Sequence, residues 1–325
     1  MTATITQAKW CEFIRREYLD GFVRDGGAVV KFCVPIQQQA RAATWNALGV
    51  LGRELGYIVV KVDAGITKVS SIDQLLFYIA KQIDWPQLAE RVINRLCERE
   101  RYELPNPSQR PFYERVAERN GIELNIAKIN LERALGEEVS AVPELARDFK
   151  SAMIQLCLAQ MRGGADAPRV AQALIDWLTG SGANINAVKR YQIFTRITRT
   201  NARRMLESLL RWVILAGCSG TIILMDLARL AVAKNPRDDK IYYTTTMLYD
   251  AYEVLREFVD SIDRLTHCLI AVLPDASFLD EASRRGIALY QALKLRIIDE
   301  VRAREVVNPM AALVRLSIHD SEAHV

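Results

Sequence analysis

Residues 28–63 constrain the fold more than any other stretch of this chain. An apolar run, AVVKFCVP, is followed by IQQQARAATWNALGVLGRELG and then by a second apolar run, YIVVKVD. The first and last runs are β-rich and almost continuously apolar, as required of strands covered on both faces of a parallel sheet. The middle run has helical length and closes on Gly56, a helix-stop residue. Strand, helix and strand in this order are how a nucleotide-binding P-loop domain begins. The pattern predicts a strand ending near Pro35, a helix from about Gln37 to Gly56, and a strand from Tyr57 to Val62.

A working P-loop places Gly, four residues, Gly, Lys and Ser or Thr between that strand and helix. Counted from the end of the strand, the defining places fall on Pro35, Ala40, Arg41 and Ala42, and none carries the required residue. Proline has no backbone N–H to offer a phosphate oxygen. Alanine disfavours the left-handed backbone that glycine adopts cheaply. Arg41 keeps the charge of the missing lysine, but its bulky planar fork is not equivalent to an ammonium. Ala42 has no hydroxyl for magnesium. These substitutions favour a plain strand–loop–helix corner over residual phosphate binding through Arg41 and the helix N-terminus.

A further apolar run, TIILMD, ends on Asp226, where a P-loop ATPase carries its magnesium-facing acid. The next place should hold the glutamate that orients and deprotonates the attacking water, and it holds Leu227. Two separate parts of the ATP machinery are therefore missing together. No catalytic residue is predicted. ATP and magnesium are not expected as cofactors unless the altered loop still cradles phosphate. The run CLIAVLPD brings Pro274 and Asp275 to an equivalent place. Ligands of parallel sheets collect beyond the C-terminal strand edges, and Pro35, Asp226 and Asp275 all lie there.

Strands alternating with helices imply an α/β fold with a mainly parallel sheet. From about 70 to 190 the pattern is helical, with breaks at 104–111 and 162–168 rich in proline and glycine. The expected divisions are an N-terminal helix with the first part of the core over 1–69, a large helical insertion over 70–190, and the second part of the core over 191–325. Trp10, Phe13, Ile14 and Leu19 have the spacing of an amphipathic first helix. A later helix is expected to bury Tyr252, Leu255, Phe258, Val259 and Ile262, and a last one to run from about 286 to 301.

Half of the 325 residues are apolar and the net charge is only +4, so composition demands no nucleic-acid partner. The six cysteines form no CxxC pair and there are three histidines, which argues against zinc and iron–sulfur sites. His267, His319 and His324 have no Ser, Cys or acid at a triad spacing. The N-terminal stretch lacks a signal-peptide core and no apolar run has the length of a membrane span, so a cytoplasmic protein with reduced thiols is expected. The most basic segment, within a helix expected from about 187 to 216, sets Arg196, Arg199 and Arg203 on one face with Arg204 and Arg211 beside it. Such a stripe suits DNA backbone or an acidic partner; the simpler alternative, a solvated face with internal ion pairs, is preferred.

The segment TRTNARRMLESLLRWVILAGCSGTIILMDLARL, then LREFVDSIDRLTHCLIAVLPDASFLD, RRGIALYQALKLRIIDEV and NPMAALVRL, resembles the BREX phage-defence ATP-binding proteins of the BrxC/BrxD type. The resemblance extends over residues 140–317 and covers 28–63 in pattern only. It implies an AAA-like P-loop fold, ATP binding and a place in a multi-gene anti-phage system. Carried over by position, Pro35, Ala40, Arg41 and Ala42 all depart from the phosphate loop, Asp226 matches and Leu227 departs, so hydrolysis is the least transferable property. The expectation is a pseudo-ATPase acting as a scaffold or regulatory subunit beside other defence proteins, an active P-loop ATPase among them, with no membrane partner. The alternatives are an ATP-dependent DNA-remodelling or nucleotide-switch ATPase with an atypical loop, and a sequence-independent DNA-binding module. Arg284 or Arg285 is the candidate for an arginine acting on a neighbouring subunit.

Overall fold

A computed structural model describes residues 4–106, 110–182, 184–298 and 307–319. The chain divides into two compact units, Met1–Ile79 with Ser219–Val325, and Ala80–Cys218. In the first, β1 (Ile5–Thr6) leads into α1 (Gln7–Ile14), which continues as a π-helical segment over Arg15–Phe22. Then come β2 (Ala28–Pro35), α2 (Gln38–Glu54), β3 (Tyr57–Asp63) and α3 (Ile72–Ala80). The helical unit follows with α4 (Trp85–Arg99), α5 (Phe112–Asn120), α6 (Leu124–Ser140), α7 (Arg147–Arg162), α8 (Ala167–Thr179), α9 (Asn186–Lys189) and α10 (Ala202–Leu215). The chain returns to the first unit through β4 (Gly220–Asp226), α11 (Thr245–Asp260), β5 (Cys268–Leu273), α12 (Gln291–Ile297) and β6 (Leu313–Ser317).

The helical unit therefore reaches Cys218 and takes in the arginine-rich segment, which the sequence pattern places with the core. The last helix stops at Ile297; its expected end at Val301, residues 107–109 of the proline-rich break, and His324 lie outside the described residues. Among the described residues no helix is long and apolar enough to cross a membrane.

All six strands are parallel, in the order β1-β6-β2-β5-β4-β3. Covering on both faces explains the unbroken apolar sequences of β4 and β5, whose residues are buried from Gly220 to Met225 and from Cys268 to Leu273. On one face Trp10, Ile14, Leu19 and Val23 pack with Ile222, Leu224, Leu269, Ala271 and Leu273. Period-2 alternation sends Phe32 to the other face, where its ring stacks on Phe278 at 6.1 Å and Tyr252 of α11 meets Phe278 edge-on.

Two features set where α2 lies. At Gly52 an added Cβ would come within 2.7 Å of both Ile222 and Val59, so the helix rides as close to the sheet as a backbone without a side chain permits. The β3, β4 and β5 strands end level, with Asp63 opposite Asp226 and Asp226 opposite Leu273. The first turn of α2 consequently stands over this C-terminal edge.

One of two buried cations among the described residues lies on β2. Lys31, 2% exposed on β2, donates to the carbonyls of Met310 at 2.6 Å and Ala311 at 3.2 Å, with Nζ 4.5 Å from the centre of the Tyr18 ring. It thereby fixes the turn that feeds β6 into the sheet. Burial outweighs these partners and lowers its pKa to about 8. Below that pH both folded and unfolded chains bind the proton and folding bears the full desolvation cost. As pH rises from 8 toward the free value of 10.5, the folded state releases the proton first and the cost is relieved. Relative to Lys31→Met, which shares the titrations of the buried groups that do not face Lys31, the native chain should gain about 2–3 kcal/mol between pH 7 and 10, measured by urea unfolding.

Candidate functional site

The corner between β2 and α2 is shorter than a phosphate loop. The strand runs on through Pro35, paired opposite Leu316, and only Ile36 and Gln37 precede the helix. The amides of Ala40 and Arg41 both bond back to the carbonyl of Gln37. Ala40, Arg41 and Ala42 are thus first-turn helical residues, where a phosphate loop would still be curling. A phosphate nest alternates right- and left-handed backbone, and no residue between Gly26 and Gly56 has positive φ. Ala40 is buried and Ala42 turns its methyl to solvent. The corner does not fit a phosphate cradle of the P-loop kind.

The place above the strand ends is taken by Arg41 itself. Its side chain is 6% exposed. Nη1 donates to Asp226 Oδ1 at 2.8 Å and to the carbonyl of Leu273 at 3.0 Å, and Nη2 donates to the carbonyl of Pro274 at 2.8 Å. Asp275 Oδ2 lies 3.8 Å from Nη2, while Nε is buried with no partner. The guanidinium fork suits this task because its planar donors reach several acceptors at once.

Both acids are also committed to backbone. Asp226 Oδ1 accepts from the amide of Ala228 at 2.9 Å, and Asp275 Oδ1 accepts from the amide and hydroxyl of Ser277 at 2.9 and 2.7 Å. Leu227 is 1% exposed, turned into the core and away from any attacking water. Beside the ion pair, a cavity of about 10 Å³ lined by Leu227, Tyr252, Pro274, Asp275 and Phe278 has room for about one water. Among the described residues no group of three or more His, Cys, Asp or Glu could hold a metal.

The loop after β4 reinforces the same edge. Arg229 forks onto Asp238 at 2.6 and 2.8 Å and donates to the carbonyl of Ile241 at 2.6 Å. Arg285 donates to the carbonyls of Leu230 and Tyr243, both at 2.7 Å. Arg284 is exposed. The hydroxyl of Tyr243 lies 3.0 and 2.9 Å from the carbonyls of Ala64 and Thr67 and accepts from the amide of Val69 at 3.1 Å. Burial pushes its pKa up to about 12.

The arginine stripe is corrected by the structure. The helix begins at Ala202, not near 187, so Arg196 and Arg199 stand in the loop that precedes it while Arg203, Arg204 and Arg211 lie on α10. The physical reason is side-chain competition for the backbone. Asn201 accepts from the amide of Thr198 at 2.8 Å and donates to the carbonyl of Arg196 at 2.9 Å. Buried Asp148 accepts from the amides of Phe194 and Thr195 at 3.2 and 2.8 Å and from the Thr195 hydroxyl. None of these five arginines belongs to the corner held by Arg41.

Pattern alone identified Arg41, Asp226 and Asp275 but not their contact. The acceptors at Leu273 and Pro274 are backbone carbonyls, which leave no residue-type signal, and Asp148, Tyr243 and Lys31 make their partners across long sequence separations.

With this geometry in view, residues 113–325 match the family described as BREX system ATP-binding protein BrxC/D. The matched part holds Asp226, Leu227 and Asp275, whereas the corner with Pro35 and Arg41 precedes it. No curated protein and no solved structure matches the chain.

Removing Arg41 takes the cation from Asp226 and Asp275 and the donor from the Pro274 carbonyl, while the Leu273 carbonyl keeps only the amide of Leu227. Arg41→Ala should cost about 3 kcal/mol in urea unfolding. Arg41→Lys should recover only a minor part of that loss, since a single ammonium cannot span Asp226, Leu273 and Pro274.

Proposed function

The chain belongs to the BREX system ATP-binding protein BrxC/D family, and from that premise we propose that it serves phage defence as a degenerate P-loop subunit. Its work in this reading is to hold and regulate partner proteins, an active P-loop ATPase of the same system among them, without turning over nucleotide. The observation that carries the reading is the Arg41 guanidinium bonded to Asp226, Leu273 and Pro274 at 2.8–3.0 Å. A γ-phosphate with magnesium needs the acid and the space above the strand ends, and here both are engaged by a side chain of the protein. The sheet order supports an AAA-like core, because β5 separates the strand of the corner from the strand of the acid, as in such cores. A cation fixed where nucleotide charge would otherwise be neutralised keeps that core in one state at all nucleotide levels.

Calorimetric titration of the purified chain with magnesium and up to about 1 mM ATP, a range that covers ordinary enzyme affinities, should give no binding heat. Magnesium-dependent binding, or hydrolysis that is lost on Asp226→Ala, would overturn the proposal. The ATP-binding description of the family favours a second reading, a nucleotide switch in which Arg41 swings from the acids to the phosphates. That reading requires ATP affinity to vanish with Arg41→Ala.

A further inference from the structure

From Trp177 to Leu206 the chain carries Lys189, Arg190, Arg196, Arg199, Arg203 and Arg204 and not one acid. The middle of this run, residues 190–201, is a loop between α9 and α10, and its backbone is pinned from below. Ile193 and Ile197 are buried anchors, 0% and 8% exposed. Between them Asp148 takes the amides of Phe194 and Thr195 and the Thr195 hydroxyl, and the indole N–H of Trp177 donates to the Thr195 carbonyl at 3.0 Å. Asn201 fixes the Arg196 carbonyl and the Thr198 amide. Between the anchors, Phe194 and Arg196 stand exposed.

Phe194 is 56% exposed, one of the most exposed large apolar side chains of the helical unit, and Arg196 stands two residues on, also exposed. Arg199 and Arg204 continue the exposed cationic surface, and Arg190 lies over the Tyr191 ring at 4.7 Å. An exposed aromatic ring among exposed cations has a natural ligand class. Successive phosphates are held by the cations while an unpaired base stacks on the ring. A duplex would offer the phosphates but not a free base face, and an acidic polypeptide without aromatic or apolar side chains would leave the ring uncovered.

We propose that the 190–204 surface of the helical unit binds single-stranded nucleic acid, with Phe194 as the stacking platform and Arg196 and Arg204 on the phosphates. The site lies in a different unit from the Arg41 corner, so it stands or falls independently of the nucleotide-free reading of that corner.

The test is fluorescence anisotropy of the full chain with labelled oligo-dT and oligo-rU of about 20 nucleotides, a length that covers any ordinary single-strand footprint. Both should bind, which of the two binds more tightly telling DNA from RNA. Phe194→Ala should weaken binding roughly tenfold with little change in salt dependence, as expected for loss of one stacked base. Arg196→Ala with Arg204→Ala should instead flatten the slope of log K against log salt by about 1.4 for the pair, at about 0.7 per phosphate contact. Both side chains are exposed, and unchanged urea unfolding of the variants confirms that neither effect comes from misfolding. Failure to bind either strand, Phe194→Ala binding as tightly as the native chain, or preference for duplex DNA or polyglutamate over oligo-dT would each overturn the proposal.

Discussion

A guanidinium brought out of water beside two carboxylates and two strand-end carbonyls is the interaction on which the business end of this molecule depends. Such a charge is costly to bury alone and tolerable only with its donors engaged. Arg41 meets that condition through three hydrogen bonds and a second acid at 3.8 Å. The result ties the start of α2 to the ends of β4 and β5, three elements far apart in sequence. In a nucleotide-binding core the same elements are joined through the ligand. Here a side chain of the protein makes the join.

Everything behind that edge serves to bring the fork into range. The strands end level by parallel registration. Gly52 lets α2 settle against Ile222 and Val59, and the two-residue turn after Pro35 starts the helix early enough to point Arg41 across the strand ends. Within β2, Lys31 secures the entry to β6, so two internal cations join the N-terminal and C-terminal parts of the first unit.

Much of the first unit was legible in sequence because its strands are unusually apolar. AVVKFCVP, YIVVKVD, TIILMD and CLIAVL could scarcely be anything but buried parallel strands, and all four are found within a residue or two of expectation. The strands β1 and β6 are short and carry no such signal. In the helical unit, TRITRTN has helical periodicity on paper, yet Asn201 bonds the local backbone and Asp148 claims the amides of Phe194 and Thr195, so the helix waits until Ala202. The departure of Pro35, Ala40, Arg41 and Ala42 from a phosphate loop could be read from residue types. The contact that fills the corner could not, because half of it is backbone.

The central claim is that Arg41 and Asp226 act as one unit closing the corner. A double-mutant cycle of Arg41→Met and Asp226→Ala, followed by urea unfolding, measures this directly, since the loss of the Asp226 bond to Ala228 cancels between its arms. The closed-corner account predicts a coupling of at least about 1.5 kcal/mol, in the upper part of the range for directly bonded pairs. Additive losses, with no coupling beyond experimental error, would mean that the two side chains do not hold each other in solution, and the account would be wrong.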